Sequence, residues 1–133
     1  MRSDEEKRLI RLLTVAKLNE VWRRPIRAEH SRFEKAKIIL QEGKFDVLWK
    51  SSNPTLGIYK GLIEQYDVSI NLYAAEYRPD VSISCSCLWH KQIYYAHGCC
   101  EHIVAFASLL EAKTRGVDPL AVLDQRDREL VPF

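Results

Sequence analysis

Val81-Ser-Ile-Ser-Cys85-Ser-Cys87-Leu-Trp-His90-Lys-Gln-Ile-Tyr-Tyr-Ala-His97-Gly-Cys99-Cys100-Glu-His102 holds all four cysteines of the chain and three of its four histidines. Its first part alternates, with Val81, Ile83, Cys85 and Cys87 on one face of a strand, so the strand that packs a core also carries two thiols to its end. Its last part opens a helix near Cys100, where Ile103, Val104, Ala107 and Leu110, with Phe106 alongside, recur at helical spacing. The stretch therefore reads as strand, loop and helix, with metal-ligating side chains at both ends of the loop. Gly116 should end the helix after the basic Lys113 and Arg115.

Cys85-x-Cys87, a twelve-residue span, and Cys100-x-His102 supply three sulfurs and one imidazole, enough to close a tetrahedral zinc shell. Soft thiolates and one imidazole suit Zn2+, whereas calcium and magnesium require oxygen ligands that this stretch hardly offers. A shell with no open position stabilises a fold and does not catalyse. Two disulfides would also account for four cysteines, but neighbouring Cys99 and Cys100 are awkward partners and the amino terminus carries no secretory signal. A shell that exchanges a ligand for Cys99, His97 or His90 stays open, since Cys99-x-x-His102 also has workable spacing. In a C-x-H shell, Cys99 is a small buried filler or a spare thiol beside the metal.

The order C-x-C, a variable span, then C-x-H followed by small and aliphatic residues resembles the SWIM zinc finger, whose pattern is CxCx(n)CxH. Gly98-Cys99-Cys100-Glu101-His102-Ile103-Val104-Ala105 is similar to the second half of that motif, with Cys99 where the family often has a small residue or proline. The resemblance implies Cys85, Cys87, Cys100 and His102 as zinc ligands, and it extends weakly back to Phe45; residues 1–40 carry no motif of the family.

Upstream, the hydrophobic period is that of strands. Phe45, Val47 and Trp49 alternate with polar neighbours, and Ser51-Ser-Asn-Pro54 supplies a turn. A strand over Leu56 to Ile63 is expected to be short or bulged at Gly57 and Gly61. Tyr66, Val68, Ile70 and Leu72 mark the next strand, turned back at Arg78-Pro79-Asp80.

The first half is helical. Ser3 and Glu6 form a capping-box pattern, and Leu9, Leu12, Leu13 and Ala16, widened by Val15, Leu18 and Trp22, predict a helix to about Trp22 or Arg23 with Arg8, Arg11, Lys17 and Glu20 exposed. Pro25 should break or kink it. A second helix is expected to be capped by Ser31 and Glu34, to bury Phe33, Ala36, Ile39 and Leu40, and to stop at Gly43. Between the helices lies the basic cluster Arg23-Arg24-Pro25-Ile26-Arg27, a candidate for phosphate contacts because arginine forks are bidentate donors. A last short helix from Pro119 to Arg128 precedes the apolar tail Leu130-Val131-Pro132-Phe133.

These elements predict an α+β fold: N-terminal helices over residues 1–43, then a small antiparallel β-meander, zinc knuckle and C-terminal helix over 44–133, in one compact domain. With 133 residues, such a domain gains from a metal staple. No apolar run is long enough to cross a bilayer, and with no signal peptide at Met1-Arg-Ser-Asp-Glu-Glu6 an intracellular location is expected, cytoplasmic in a prokaryote. The net charge of +2 is too small to announce a nucleic-acid partner, although residues 1–50 hold thirteen Lys and Arg against eight Asp and Glu, and residues 51–133 seven against ten.

No P-loop lysine follows Gly57 or Gly61, and there is no H-E-x-x-H helix or zinc-deaminase C-x-x-C. Cys99 and His97 alone do not make a nucleophile site, so no enzyme is expected. The SWIM resemblance implies a non-catalytic interaction module. Family members bind DNA or proteins and occur in SWI/SNF-type ATPases, Mutator-type transposases and ubiquitin-pathway proteins. By size and motif, the chain most resembles the small stand-alone SWIM proteins that accompany RecA-family recombinase paralogues, which implies a RecA-fold ATPase as protein partner and a role in DNA recombination and repair. The other expectation is a small DNA- or RNA-binding regulator, using Arg23, Arg24 and Arg27 with Trp89, Tyr94 and Tyr95 to stack on bases.

Overall fold

The structure, a computed structural model, describes residues 4, 16, 18–26, 28–48, 56–73, 81–89 and 98–130. The capping box at Ser3, most of the first helix, the turns at 51–54 and 78–80, and the tail beyond Leu130 lie outside the described residues.

Residues 18–21 are helical and run into a π-helical turn, Trp22–Ile26, that contains Pro25. The proline does not end the helix at Arg24. The backbone instead runs one residue past it in the wider π-helical form, an irregularity found where a helix's hydrogen-bond ladder is interrupted. The Ile26 carbonyl at the end of that turn is taken up by the Cys99 N–H at 3.0 Å, which ties the first helix to the cysteine-rich segment.

Helix α1, His30–Glu42, buries Phe33, Ala36 and Ile39. Its N-cap is Glu29, with no side-chain cap hydrogen bond, so the box expected from Ser31 and Glu34 does not form; Ser31 already sits in the first turn. The carboxy end behaves as the sequence predicts: Gly43 takes the left-handed conformation at φ 68°, and its N–H reaches back to the Ile39 and Leu40 carbonyls.

Four strands follow as an antiparallel meander in the order β1-β2-β3-β4: β1 Phe45–Leu48, β2 Leu56–Ile63, β3 Tyr66–Tyr73 and β4 Val81–Cys85. β2 is neither short nor bulged. It pairs with β3 over all eight positions from Leu56↔Tyr73 to Ile63↔Tyr66, with Gly57 opposite Leu72 and Gly61 opposite Val68. The sheet's inner face carries the buried Ile63, Val68, Ile70 and Cys85, joined by partly buried Phe45, Tyr59, Tyr66 and Ile83.

Helix α2, Glu101–Arg115, lies at the centre. It contacts β2, β3 and β4 and also α1 and α3, the last helix at Pro119–Leu130. Every residue from His102 to Ala112 is buried, which widens the single stripe expected from Ile103, Val104, Ala107 and Leu110. A helix packed on all sides has few buried polar groups, and those of α2, His102, Ser108 and Glu111, each have a hydrogen-bond partner. Ser108 satisfies its hydroxyl on the Val104 carbonyl at 2.9 Å. Gly116, at φ 72°, caps α2, again as read from the sequence. No helix of the described residues is long and apolar enough to cross a membrane.

Candidate metal centre

The site is built at the corner where β4 hands over to α2. β4 pairs with β3 through Val68↔Cys85, and the ladder persists one residue further. Ser86 donates its N–H to the Asp67 carbonyl at 3.0 Å and accepts the Asp67 N–H on Oγ at 3.0 Å. This exchange anchors Ser86 to β3 just past the end of β4, where the chain bends at Ser86 and Cys87. Cys85, the last residue of β4, and Cys87, in the bend beyond it, are both buried, while Ser84 and Ser86 are exposed.

From the other side, Gly98 turns the chain at φ 80° and Cys100 becomes the N-cap of α2. The loop base is closed by Trp89, whose indole N–H donates to the Gly98 carbonyl at 3.0 Å. Arg32 of α1 lies over the Trp89 ring, 4.1 Å from its centroid, and pairs with Glu101 Oε2 at 2.8 Å. The first turn of α2 is thus braced against α1 beside the ligand residues.

Cys85, Cys87, Cys100 and His102 converge. One ligand atom from each lies within 4.8 Å of every other, and all four residues are buried. His102 turns Nδ1 toward the sulfurs, 3.8 Å from Cys85 Sγ, and Nε2 toward Glu64 Oε1 at 3.2 Å. The Tyr66 ring packs against the imidazole at a centroid distance of 4.4 Å. A group of three thiols and one imidazole at this spacing can hold a metal ion.

The electrostatics fit a site that exchanges protons for a cation. The Cys100 thiol is pushed far up by its hydrogen bond with Cys85 and by burial. Burial works against a charged His102, but the neighbouring Cys100, Glu101 and Glu64 outweigh it and raise the imidazole above its ordinary value. Glu101 is held below the usual carboxylate range: burial opposes this, and the backbone N–H and Arg32 prevail. A cation entering the shell replaces the thiol protons, so its binding is coupled to proton release.

The structure separates the remaining candidates. Cys99 is fully buried and stands outside the group of four; burial raises its thiol well above the ordinary range. His90, His97, Tyr94 and Tyr95 lie outside the described residues. Arg23 is exposed on the π-helical turn; of Arg24 only the backbone is described, and Arg27 is outside the described residues. Trp89, expected as a free stacking platform, is partly buried against the core, with its indole N–H bonded and Arg32 over its ring.

Two participants escaped sequence reading. Glu64 reaches His102 from 38 positions away, with no local pattern to announce it. Ile26 gives its carbonyl to Cys99, and the only sequence signal was Pro25 one residue earlier. No protein-family model, curated protein or solved structure matches this chain.

Proposed function

We propose that this chain is a SWIM-like, non-catalytic interaction module whose fold is held by one structural Zn2+ on Cys85, Cys87, Cys100 and His102. The observation that carries this reading is the closed group of three thiols and one imidazole, all buried and mutually within 4.8 Å, at a strand-to-helix corner. Zinc is the ion favoured by that donor set, and four protein ligands leave no coordination position for substrate. Fixing the corner fixes the start of α2, the helix against which the sheet, α1 and α3 all pack. Structural zinc contributes about 10–16 kcal/mol of apparent binding free energy in small domains, enough to decide whether such a fold forms.

For the partner we propose a RecA-fold ATPase, with this protein acting as a recombination and repair accessory. The support is the C-x-C and C-x-H motif and its resemblance to the SWIM finger. Affinity purification of the tagged protein from its own host, with nuclease treatment before elution, tests it. Retention of a RecA-fold ATPase after nuclease is the expected result, and absence of any such ATPase counts against it.

The exposure of Arg23 keeps a second reading, direct binding of DNA or RNA, in view. Phosphate-driven affinity falls steeply with salt, whereas apolar docking does not, so a salt titration separates the two.

A further inference from the structure

We infer that Glu64 is a positioning residue for the metal centre: its carboxylate takes the Nε2–H of His102 and so leaves Nδ1 facing the three thiols. This inference rests on the zinc reading above and adds to the ligand set a residue that no ligand motif contains. The geometry carries it. Nε2 lies 3.2 Å from Glu64 Oε1, while Nδ1 is 3.8 Å from Cys85 Sγ, so the two ring nitrogens face different groups. A neutral imidazole has one N–H and one lone pair, and a carboxylate that can only accept fixes the proton on the nitrogen it touches. The other nitrogen is then the metal donor. Glu101, the nearest alternative acceptor, lies 3.9 Å from Nε2, beyond hydrogen-bond reach, and its other oxygen is taken by Arg32 at 2.8 Å.

A second, independent observation concerns the backbone. Glu64 opens the two-residue loop between β2 and β3 and holds φ 58°; it is the one non-glycine residue with positive φ among the described residues. Glycine or asparagine is the ordinary occupant of such a position, because a Cβ there crowds the backbone. The loop is pinned in this conformation by the Glu64 N–H, which donates to the Lys44 carbonyl at 2.7 Å just beyond the Gly43 cap of α1. A glutamate in a glycine's place, with its side chain led back from the loop to a buried imidazole, is the kind of local strain that accompanies a functional contact. The carboxylate itself is about one-third exposed, so it links solvent-side backbone to the inner shell.

The test is zinc retention by the full chain, measured by competition with a chromogenic chelator, together with long-range proton–nitrogen NMR of the His102 ring in the zinc-loaded protein. Wild type should show Nε2 protonated and Nδ1 bound. Glu64→Ala should release zinc about 10- to 100-fold more readily, the range found when an outer carboxylate is removed from a ligand histidine. Glu64→Gly guards against a hairpin artefact, since glycine accepts the positive φ and keeps the turn; it should lose zinc as readily as Glu64→Ala. Both variants holding zinc within twofold of wild type, or an unchanged His102 ring signature in both, overturns the role of Glu64. A wild-type protein that carries no stoichiometric zinc overturns the zinc reading itself, a result distinguishable from the first.

Discussion

Trp22 donates its indole N–H to Glu111 Oε1 at 2.9 Å, joining the first helix to the centre of α2 across 89 positions of sequence. The same oxygen accepts from Arg126 of α3, Nε at 3.1 Å and Nη2 at 2.8 Å, and Glu111 Oε2 accepts from Arg115 at 2.7 Å. Arg126 also donates to Asn19. Glu111 is fully buried, so this network is a charged knot inside three helices.

Breaking the knot on one side should be costly, because a buried carboxylate loses compensation. We expect Arg126→Met to destabilise the protein by about 3–5 kcal/mol, toward the lower value since Arg115 still pairs. Urea unfolding of the zinc-saturated protein measures it. A change smaller than about 1 kcal/mol would show that the knot contributes no more than an exposed pair.

Zinc removal should unfold the corner between β4 and α2. Cys85→Ser and His102→Ala are each expected to lower zinc content and melting temperature together, because the metal binds only the folded shell. Either variant keeping full zinc and an unchanged melting temperature would take that residue out of the shell.

The two left-handed caps allow a cleaner experiment. Gly43 at φ 68° and Gly116 at φ 72° both face open space, with nothing within 4 Å of an added Cβ. Gly43→Ala or Gly116→Ala should therefore cost about 1 kcal/mol from backbone conformation alone. Thermal melts of the two variants should shift alike; a much larger loss at one of them would reveal a packing role.

His30 links α1 to α3. Its Nδ1 lies 2.8 Å from Asp127 Oδ1 and its Nε2 3.0 Å from Glu34 Oε1. The hydrogen bond with Asp127, then its charge, raises the imidazole above the ordinary 6.5. A raised folded pKa means that the contact stabilises the fold when His30 is protonated, fully below 6.5, and that this is lost as pH rises through the higher folded value. Asp127→Asn should flatten that part of the stability–pH curve relative to the parent protein. Because His30 is exposed, the effect should be small and salt-sensitive. Superimposable curves would remove the link.

Sequence alone made the candidate metal centre legible because its four residues come in two short motifs: Cys85 and Cys87 at the end of a strand, which closes at Cys85 and leaves Cys87 in the bend beyond it, and Cys100 and His102 at a helix start. The glycine caps and the antiparallel meander were legible for the same reason. Tertiary circumstances decided the rest. Ser31 and Glu34 have the letters of a capping box, yet the N-cap is Glu29 and the helix starts two residues earlier than that box would place it, at His30. Pro25 carries a breaker's signature, but the chain widened its turn around it. Glu64 and Glu111 look like ordinary surface acids in the sequence. Only the fold brings His102 to one and Arg126 with Trp22 to the other.

The central claim, a zinc shell of Cys85, Cys87, Cys100 and His102 that excludes Cys99, is tested most directly by native mass spectrometry of the purified wild-type protein beside Cys99→Ser and Cys100→Ser. One zinc ion per chain on wild type and on Cys99→Ser, and none on Cys100→Ser, is the expected result. A wild type without zinc, or a Cys99→Ser protein that loses it while Cys100→Ser keeps it, would contradict the shell.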